Sequence, residues 1–266
     1  MNPVAKPRAR REWISGVAAL GMACASGLAQ AMGGLLLLDP PPTGQSRLAV
    51  GASLWSFYTQ AVPHRHHSLL LPALDYSAPS GLFVSTDNGL GWNLSHRADV
   101  QAGVRLSAQP ARQALAQLAG EDTARIGTRV ERGAFLNYSP TDALLLQSGV
   151  RRGSGRHRDG VVAEAGATSG LPLPGGDLLG LTAGVTWANR AFRSSYLGTG
   201  TVAPPGPGGG WHDVQLAFSE EHHLSPEWRI DSQLQLSRLT GHRPAASAAQ
   251  GRYQGLLSIG LWKDIR

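Results

Sequence analysis

Thiol chemistry is almost missing from this chain: one of its 266 residues is a cysteine, Cys24. That residue falls in an N-terminal stretch that reads as a secretory signal. Lys6, Arg8, Arg10 and Arg11 form a basic head, an apolar segment runs from about Ile14 to Leu28, and small-x-small cleavage sites follow at Ala23-Cys24-Ala25 and Ala29-Gln30-Ala31. Cleavage at the second site is expected, which makes residues 1–31 the signal peptide and residues 32–266 the mature domain. Gly21, three places before Cys24, does not suit a lipoprotein signal. The mature chain is then expected to have no disulfide, no cysteine nucleophile and no cysteine metal site.

Three further scarcities narrow the reading. Beyond the signal no apolar run approaches the roughly 20 residues of a membrane-spanning helix. Residence in a membrane would have to be by β-barrel. Charge is thin: Asp, Glu, Lys and Arg make up 16% of the chain, and four of its 24 Lys/Arg leave with the signal. No clustered basic face of the kind that binds nucleic acid remains. Helical periodicity is confined to one candidate, Ala111–Ala119, expected as a short loop helix or a disordered insertion.

What the chain does have is alternation. In Glu227–Leu239 the apolar Trp228, Ile230, Leu234 and Leu236 alternate with Arg229, Asp231, Gln233, Gln235 and Ser237. A strand sends successive side chains to opposite faces, so such a segment has one apolar and one polar wall. The pattern predicts about eleven or twelve strands, near Ser46–Phe57, His67–Tyr76, Gly81–Thr86, Gly89–Ser95 (which together with Gly81–Thr86 also reads as one bent hairpin), Val100–Ala108, Ala124–Tyr138, Asp142–Arg152, Gly160–Thr168, Leu178–Ala188, His212–Glu221, Glu227–Leu239 and Arg252–Trp262. Tight connections at Ser139-Pro140-Thr141 and Leu224-Ser225-Pro226 alternate with long ones at Gln109–Thr123, Gly153–Asp159, Asn189–Gly210 and Thr240–Gly251. The Pro/Gly run Val202–Gly210 is unable to pair in a sheet and reads as an outer loop. The expected fold is all-β: an antiparallel transmembrane barrel of about 10–12 strands, with short periplasmic turns and longer outer loops. A secreted β-sandwich is the competing architecture.

Candidate functional residues follow from the polar walls. Arg129 and Glu131 share one wall of their strand, as do Arg229 and Asp231, while Arg105, Glu164 and Asp213 fall on the polar walls of theirs. In a closed barrel these charges either pair across the lumen and fill it or line a narrow pore. Trp92, Trp187, Trp211, Trp228, Tyr253 and Trp262, together with Trp55, Tyr76 and Tyr138, lie near strand ends, as interfacial aromatic girdles do. His64, His66 and His67 with Arg65, and the pair His222-His223, are read as solvated turn or rim residues. Adjacent strand residues point opposite ways and make poor chelates, so neither metal nor cofactor is expected. Ser219 with His222, or Ser225 with His223, offers hydrolase residue types, but no GxSxG elbow is present.

Several segments together resemble a known family. Gly81-Leu82-Phe83-Val84-Ser85 precedes Gly89-Leu90-Gly91-Trp92-Asn93-Leu94. The strand Leu178–Ala188 precedes Ser194-Ser195-Tyr196-Leu197-Gly198. Late in the chain come His222-His223-Leu224-Ser225-Pro226-Glu227-Trp228, then Ser237-Arg238-Leu239-Thr240-Gly241-His242 and a terminal strand. Their order and spacing are similar to the MipA/OmpV family of outer-membrane proteins (MltA-interacting protein). The resemblance implies a monomeric barrel in outer-membrane lipid, with no catalytic residues. It also implies a scaffold linking a lytic transglycosylase and a murein synthase during peptidoglycan growth, or another role in cell-envelope maintenance. A narrow small-solute channel is the alternative.

Overall fold

The computed structural model describes residues 45–59, 65–109, 129–153, 160–174, 177–192, 209–240 and 253–265. Twelve strands run through them: β1 (Arg47–Thr59), β2 (Arg65–Ser77), β3 (Leu82–Ser85), β4 (Gly89–Asn93), β5 (Val100–Gln109), β6 (Arg129–Thr141), β7 (Leu144–Gly153), β8 (Val161–Pro172), β9 (Leu178–Ala188), β10 (Gly210–His223), β11 (Trp228–Leu239) and β12 (Tyr253–Ile265). Each pairs antiparallel with the strands before and after it. β1 closes the ring on β12, from Leu48↔Ile265 to Thr59↔Gln254. Hydrocarbon supplies no hydrogen-bond partners, so a sheet that faces lipid has to close on itself.

Connections alternate between two rims. Segments 78–81, 94–99, 142–143, 173–177 and 224–227 join strands at one end, the short-turn rim, where β1 begins and β12 finishes. Segments 60–64, 110–128, 154–160, 189–209 and 240–252 join them at the other, the long-loop rim. One connection there breaks the pattern: 86–88 is a tight turn between β3 and β4, the two shortest strands at 4 and 5 residues. Gly81 and Gly89 bracket this hairpin with φ of 86° and 81°, a conformation that L side chains rarely adopt.

One expected boundary shifts. The turn expected at Ser139-Pro140-Thr141 is strand: β6 runs to Thr141, with a register irregularity between Tyr138 and Thr141. A bulge at the strand's end takes Pro140 out of the regular ladder, where its missing N–H costs no bond. The reversal falls instead at 142–143. The expected signal segment, the candidate helix Ala111–Ala119, residues 124–128 of the expected sixth strand and most of the Pro/Gly run lie outside the described residues.

Side-chain parity holds around the ring. On β10, Val214, Leu216 and Phe218 are exposed on the outer wall at 40%, 39% and 45%, whereas Asp213 and Gln215 are buried in the lumen at 4% and 7%. Val104, Leu106, Leu136, Val150, Leu181, Leu234, Leu236, Leu257, Ile259 and Leu261 continue the outer apolar wall. Gln101, Arg105, Glu131, Asn137, Gln147, Arg151, Glu164, Gln235 and Ser237 are buried inside. A water-soluble protein buries the opposite set. The outer surface is a continuous band of aliphatic side chains whose natural solvent is acyl chain.

The lumen still has an apolar element. Phe83 of β3 meets Phe135 of β6 edge-to-face at 5.9 Å and 71°. Gly91 makes room for it, since a Cβ there would lie 2.2 Å from the Phe83 ring. This contact braces the short hairpin against the far side of β5.

Mutational costs are expected to differ between the two walls. Ile259→Arg, on the outer band, is expected to cost about 2–4 kcal/mol of folding free energy in liposomes. Ser258→Asn, one residue away and inside, is expected to change it by less than about 0.5 kcal/mol. Equilibrium urea unfolding in phosphatidylcholine vesicles measures both.

Candidate functional site

Ion pairs cross the barrel toward the long-loop rim. Arg105 Nη2 of β5 donates to Glu164 Oε1 of β8 at 2.8 Å. Arg151 of β7 donates through Nη1 to Glu131 Oε2 at 2.8 Å and through Nη2 to Glu164 Oε2 at 3.3 Å. All four side chains are essentially buried. Strands β5 and β8 are three positions apart in the ring, so the Arg105–Glu164 contact is a chord through the lumen rather than a wall contact. Gly149 leaves space for it: a Cβ there would sit 3.0 Å from Glu164 Oε1. Asp213, also expected on a polar wall, is buried near this group, with His212 Nε2 3.9 Å from its Oδ2.

A second cluster stands at the short-turn rim. Arg229 Nη1 donates to Asp264 Oδ1 at 3.1 Å, and its Nε lies 3.4 Å from Asp231 and 3.9 Å from Glu221. Its guanidinium also stacks over the Trp262 ring at 5.4 Å. Arg47 at the start of β1 reaches the same Asp264 at 3.5 Å. First and last strands are thereby pinned together at the seam of the ring.

Between the clusters lies a cavity of about 680 Å³ that reaches the short-turn rim. Arg105 lies at one end of it and Asp99, Asp142 and Ala143 at the other. Asp75, Asp87, Asp231, Glu220 and Glu221 give its lining an acidic excess over Arg105 and Arg229, and Trp55, Phe83, Leu256 and Trp262 give it an apolar side.

The structure sorts the expected residues as follows. Arg105, Glu131, Glu164, Asp213 and Arg229 are buried in the lumen, and Asp231 lines the cavity. Arg129 sits on β6 opposite Gln109, but its side chain lies outside the described residues. Glu131 takes its hydrogen bond from Arg151, a residue sequence reasoning missed. The signal was available: Leu144, Leu146 and Val150 face outward, which turns Arg151 inward and leaves Arg152 exposed.

Among the aromatics, Trp92, Trp187, Trp211, Trp228 and Tyr253 face outward, 36–60% exposed. Trp187, Trp211 and Tyr253 stand toward the long-loop rim, and Trp92 and Trp228 toward the other. Lys263 Nζ lies 5.6 Å over the Trp228 ring and Arg238 lies 5.9 Å over Tyr253, basic heads beside aromatic faces at both rims. Trp262 is a correction. It is 4% exposed and packs inside against Ala49 and Ala73; Trp55, at 5%, also points inward. With Leu257, Ile259 and Leu261 facing out, parity requires Trp262 to face in. Position near a strand end was the weaker guide.

The histidines divide. His66 and His67 are on β2, their side chains outside the described residues. His222 Nδ1 bonds Asp177 Oδ2 at 2.8 Å, and His223 lies 3.3 Å from Glu221. His222's hydrogen bond holds the partly buried Asp177 carboxyl below its ordinary range. Among the described residues no group of three or more His, Cys, Asp or Glu is placed to hold a metal ion. Ser219 and His222 fall on opposite faces of β10 by parity. Ser225 Oγ accepts the backbone N–H of Glu227 and of Trp228, which fixes the turn.

Two outcomes follow. Glu164→Leu strands the buried Arg105 guanidinium and removes one of the two carboxylates that Arg151 contacts, and is expected to destabilise the barrel by roughly 3 kcal/mol, whereas adding Arg105→Met recovers most of that loss because Arg151 keeps Glu131; urea unfolding of the single and double variants tests it. His222→Ala is expected to return the Asp177 carboxyl upward toward its ordinary value, seen by NMR titration. A depressed carboxylate contributes stability above its unfolded pKa and loses it as pH falls through the folded one, so any effect on unfolding appears only in acid.

An outer membrane channel from Pseudomonas putida F1 aligns with a TM-score of 0.47 at 10% identity, covering 87% of this chain and 100% of that one. The NanC porin aligns with a TM-score of 0.40 at 9% identity, over 80% and 98%. An anion-selective porin from Comamonas acidovorans does so with a TM-score of 0.37 at 10% identity, over 83% and 99%. These likenesses are too distant to carry function. No curated protein matches the chain closely enough to count as a relative. The family model described as MltA-interacting protein MipA matches residues 49–261, from the first strand to the last, and the chain belongs to that family.

Proposed function

We propose that this barrel is a non-enzymatic scaffold of the outer membrane. In this reading its short-turn rim faces the periplasm and holds a lytic transglycosylase, with a murein synthase as the second partner. The family description, MltA-interacting protein, is the observation that carries the proposal. The rim suits the task. Arg97 and Asp99 pair there through Nε and Oδ1 at 2.9 Å, Asp177 binds both His222 and the His223 backbone, and Ser225 caps its turn. Charged groups held in place before contact lower the ordering cost of binding. The outward aromatics at both rims would seat the barrel at the two lipid–water boundaries. Outer-membrane lipid is then its surroundings, and a monomer is sufficient.

A narrow solute channel is the second reading, favoured by the cavity of about 680 Å³. The chord of ion pairs beyond Arg105 counts against free passage.

Full-length protein in nanodiscs is expected to retain a purified MltA-type transglycosylase. The charge swap Arg97→Glu with Asp99→Arg is expected to weaken that binding about tenfold without altering heat-modifiable gel migration. Retention unaffected by replacement of each rim turn in sequence would contradict the scaffold. Planar-bilayer recording separates the second reading: discrete openings in the unaltered barrel would favour the channel.

A further inference from the structure

The ring has a low place. β2 and β5 flank the hairpin β3–β4, with 13 and 10 residues against its 4 and 5. Only Asp75–Ser77 of β2 pair with β3, and the ladder ends where Thr86 N donates to Leu74 O. On the other flank, Leu106 opposite Leu90 is the last residue of β5 paired with β4. Toward the long-loop rim, residues 65–73 of β2 and 108–109 of β5 rise above the hairpin, Ser107 being level with Gly89. Among the described residues nothing pairs with these edges on the hairpin side. β2 and β5 are three strand spacings apart there, about 14 Å. Leu70 and Leu106, exposed on the outer wall at 68% and 48%, put this opening within the apolar band.

The sequence of β2 is written for an open edge. Backbone groups alternate sides along a strand, and Leu74 turns its N–H and C=O to Thr86. Pro72, two residues on, therefore directs its donorless nitrogen at the opening, where a proline removes no ladder bond. Of Ser68, Leu70 and Pro72, the edge residues nearest the hairpin, all three offer carbonyls but Pro72 offers no N–H. Such an edge favours a donor over another strand, because an added peptide would lack a partner for one of its carbonyls opposite Pro72.

What lies behind the opening has the matching charge. The turn Thr86-Asp87-Asn88 forms its sill, and both Asp87 and Asn88 also line the lumen cavity, as do Asp75 and Asp231. Trp55, Leu71 and Phe83 supply apolar surface on the neighbouring strands. We propose that the gap above β3–β4 is a lateral portal for amphiphiles with a protonated amine head. The ammonium group passes over the sill to the edge carbonyls and the Asp87 side of the cavity, while the alkyl tail stays in lipid beside Leu70 and Leu106. No covalent step is involved. This inference is independent of the scaffold reading.

The test uses the full chain in phosphatidylcholine vesicles, with Cys24→Ser and a nitroxide attached through Asn88→Cys on the sill. Dodecylamine is expected to immobilise the label saturably, and dodecanol at the same membrane mole fraction is not. Asp87→Asn with Asp231→Asn is expected to raise the half-saturating amine concentration at least tenfold, with heat-modifiable migration unchanged. In unlabelled protein, the Ser68 and Leu70 amides are expected to exchange with deuterium about a hundredfold faster than those of Leu69 and Leu71, which face β1. Equal responses to amine and alcohol, or no saturable response, would overturn the proposal. So would Ser68 and Leu70 amides as protected as Leu71, since another segment would then occupy the edge.

Discussion

Every strand in a closed ring offers its side chains two directions, and the described strands commit most of their large aliphatic residues to one of them. That commitment organises the rest of the molecule. Lipid outside requires that backbone polar groups be satisfied, which closes the ring through β1 and β12 and leaves the edge above β3–β4 as the exception among the described strands. The inner wall, left with amides, hydroxyls and charges, then has to satisfy itself in a confined space. Arg105, Arg151, Glu131 and Glu164 do so as one connected group, and Arg229, Asp264 and Arg47 as another at the seam.

The two clusters act differently on the fold. The chord from β5 to β8 ties strands that share no ladder bonds, so it resists flattening of the ring. Its net contribution to stability is small against an apolar filling, but breaking it from one side is costly. The seam cluster joins strands that already pair, and it fixes the register of the last strand on the first. Between them the cavity keeps one acidic and one apolar side, and the short hairpin lowers the wall beside it.

Alternation made the fold readable in the sequence, because a period of two survives any uncertainty about where a strand stops. The twelve strands match a reading of about eleven or twelve made on that ground, and the outward and inward sets of β10 and β11 follow from it directly. Boundaries were less readable. Pro140 looks like a turn residue, and only the bulge before Thr141 shows how a strand accommodates it. Site residues were legible where parity was applied and missed where it was not. Arg151 and Trp262 both follow from the outward neighbours on their own strands. Pairing across the lumen was beyond sequence, since the contact of Arg105 with Glu164 depends on ring size and stagger rather than on spacing along the chain. The low wall above β3–β4 was likewise hidden, because two short strands look like one bent hairpin until the register of β2 is known.

The measurement that bears most directly on this account is a nitroxide scan along Trp228–Leu239 in liposomes, one label per residue, read by collision with oxygen and with a water-soluble nickel chelate. A period of two is predicted: oxygen dominates at 230, 234 and 236, and the chelate or tight packing at 229, 233 and 235. Uniform access to the chelate along the whole segment, or the opposite phase, would contradict it.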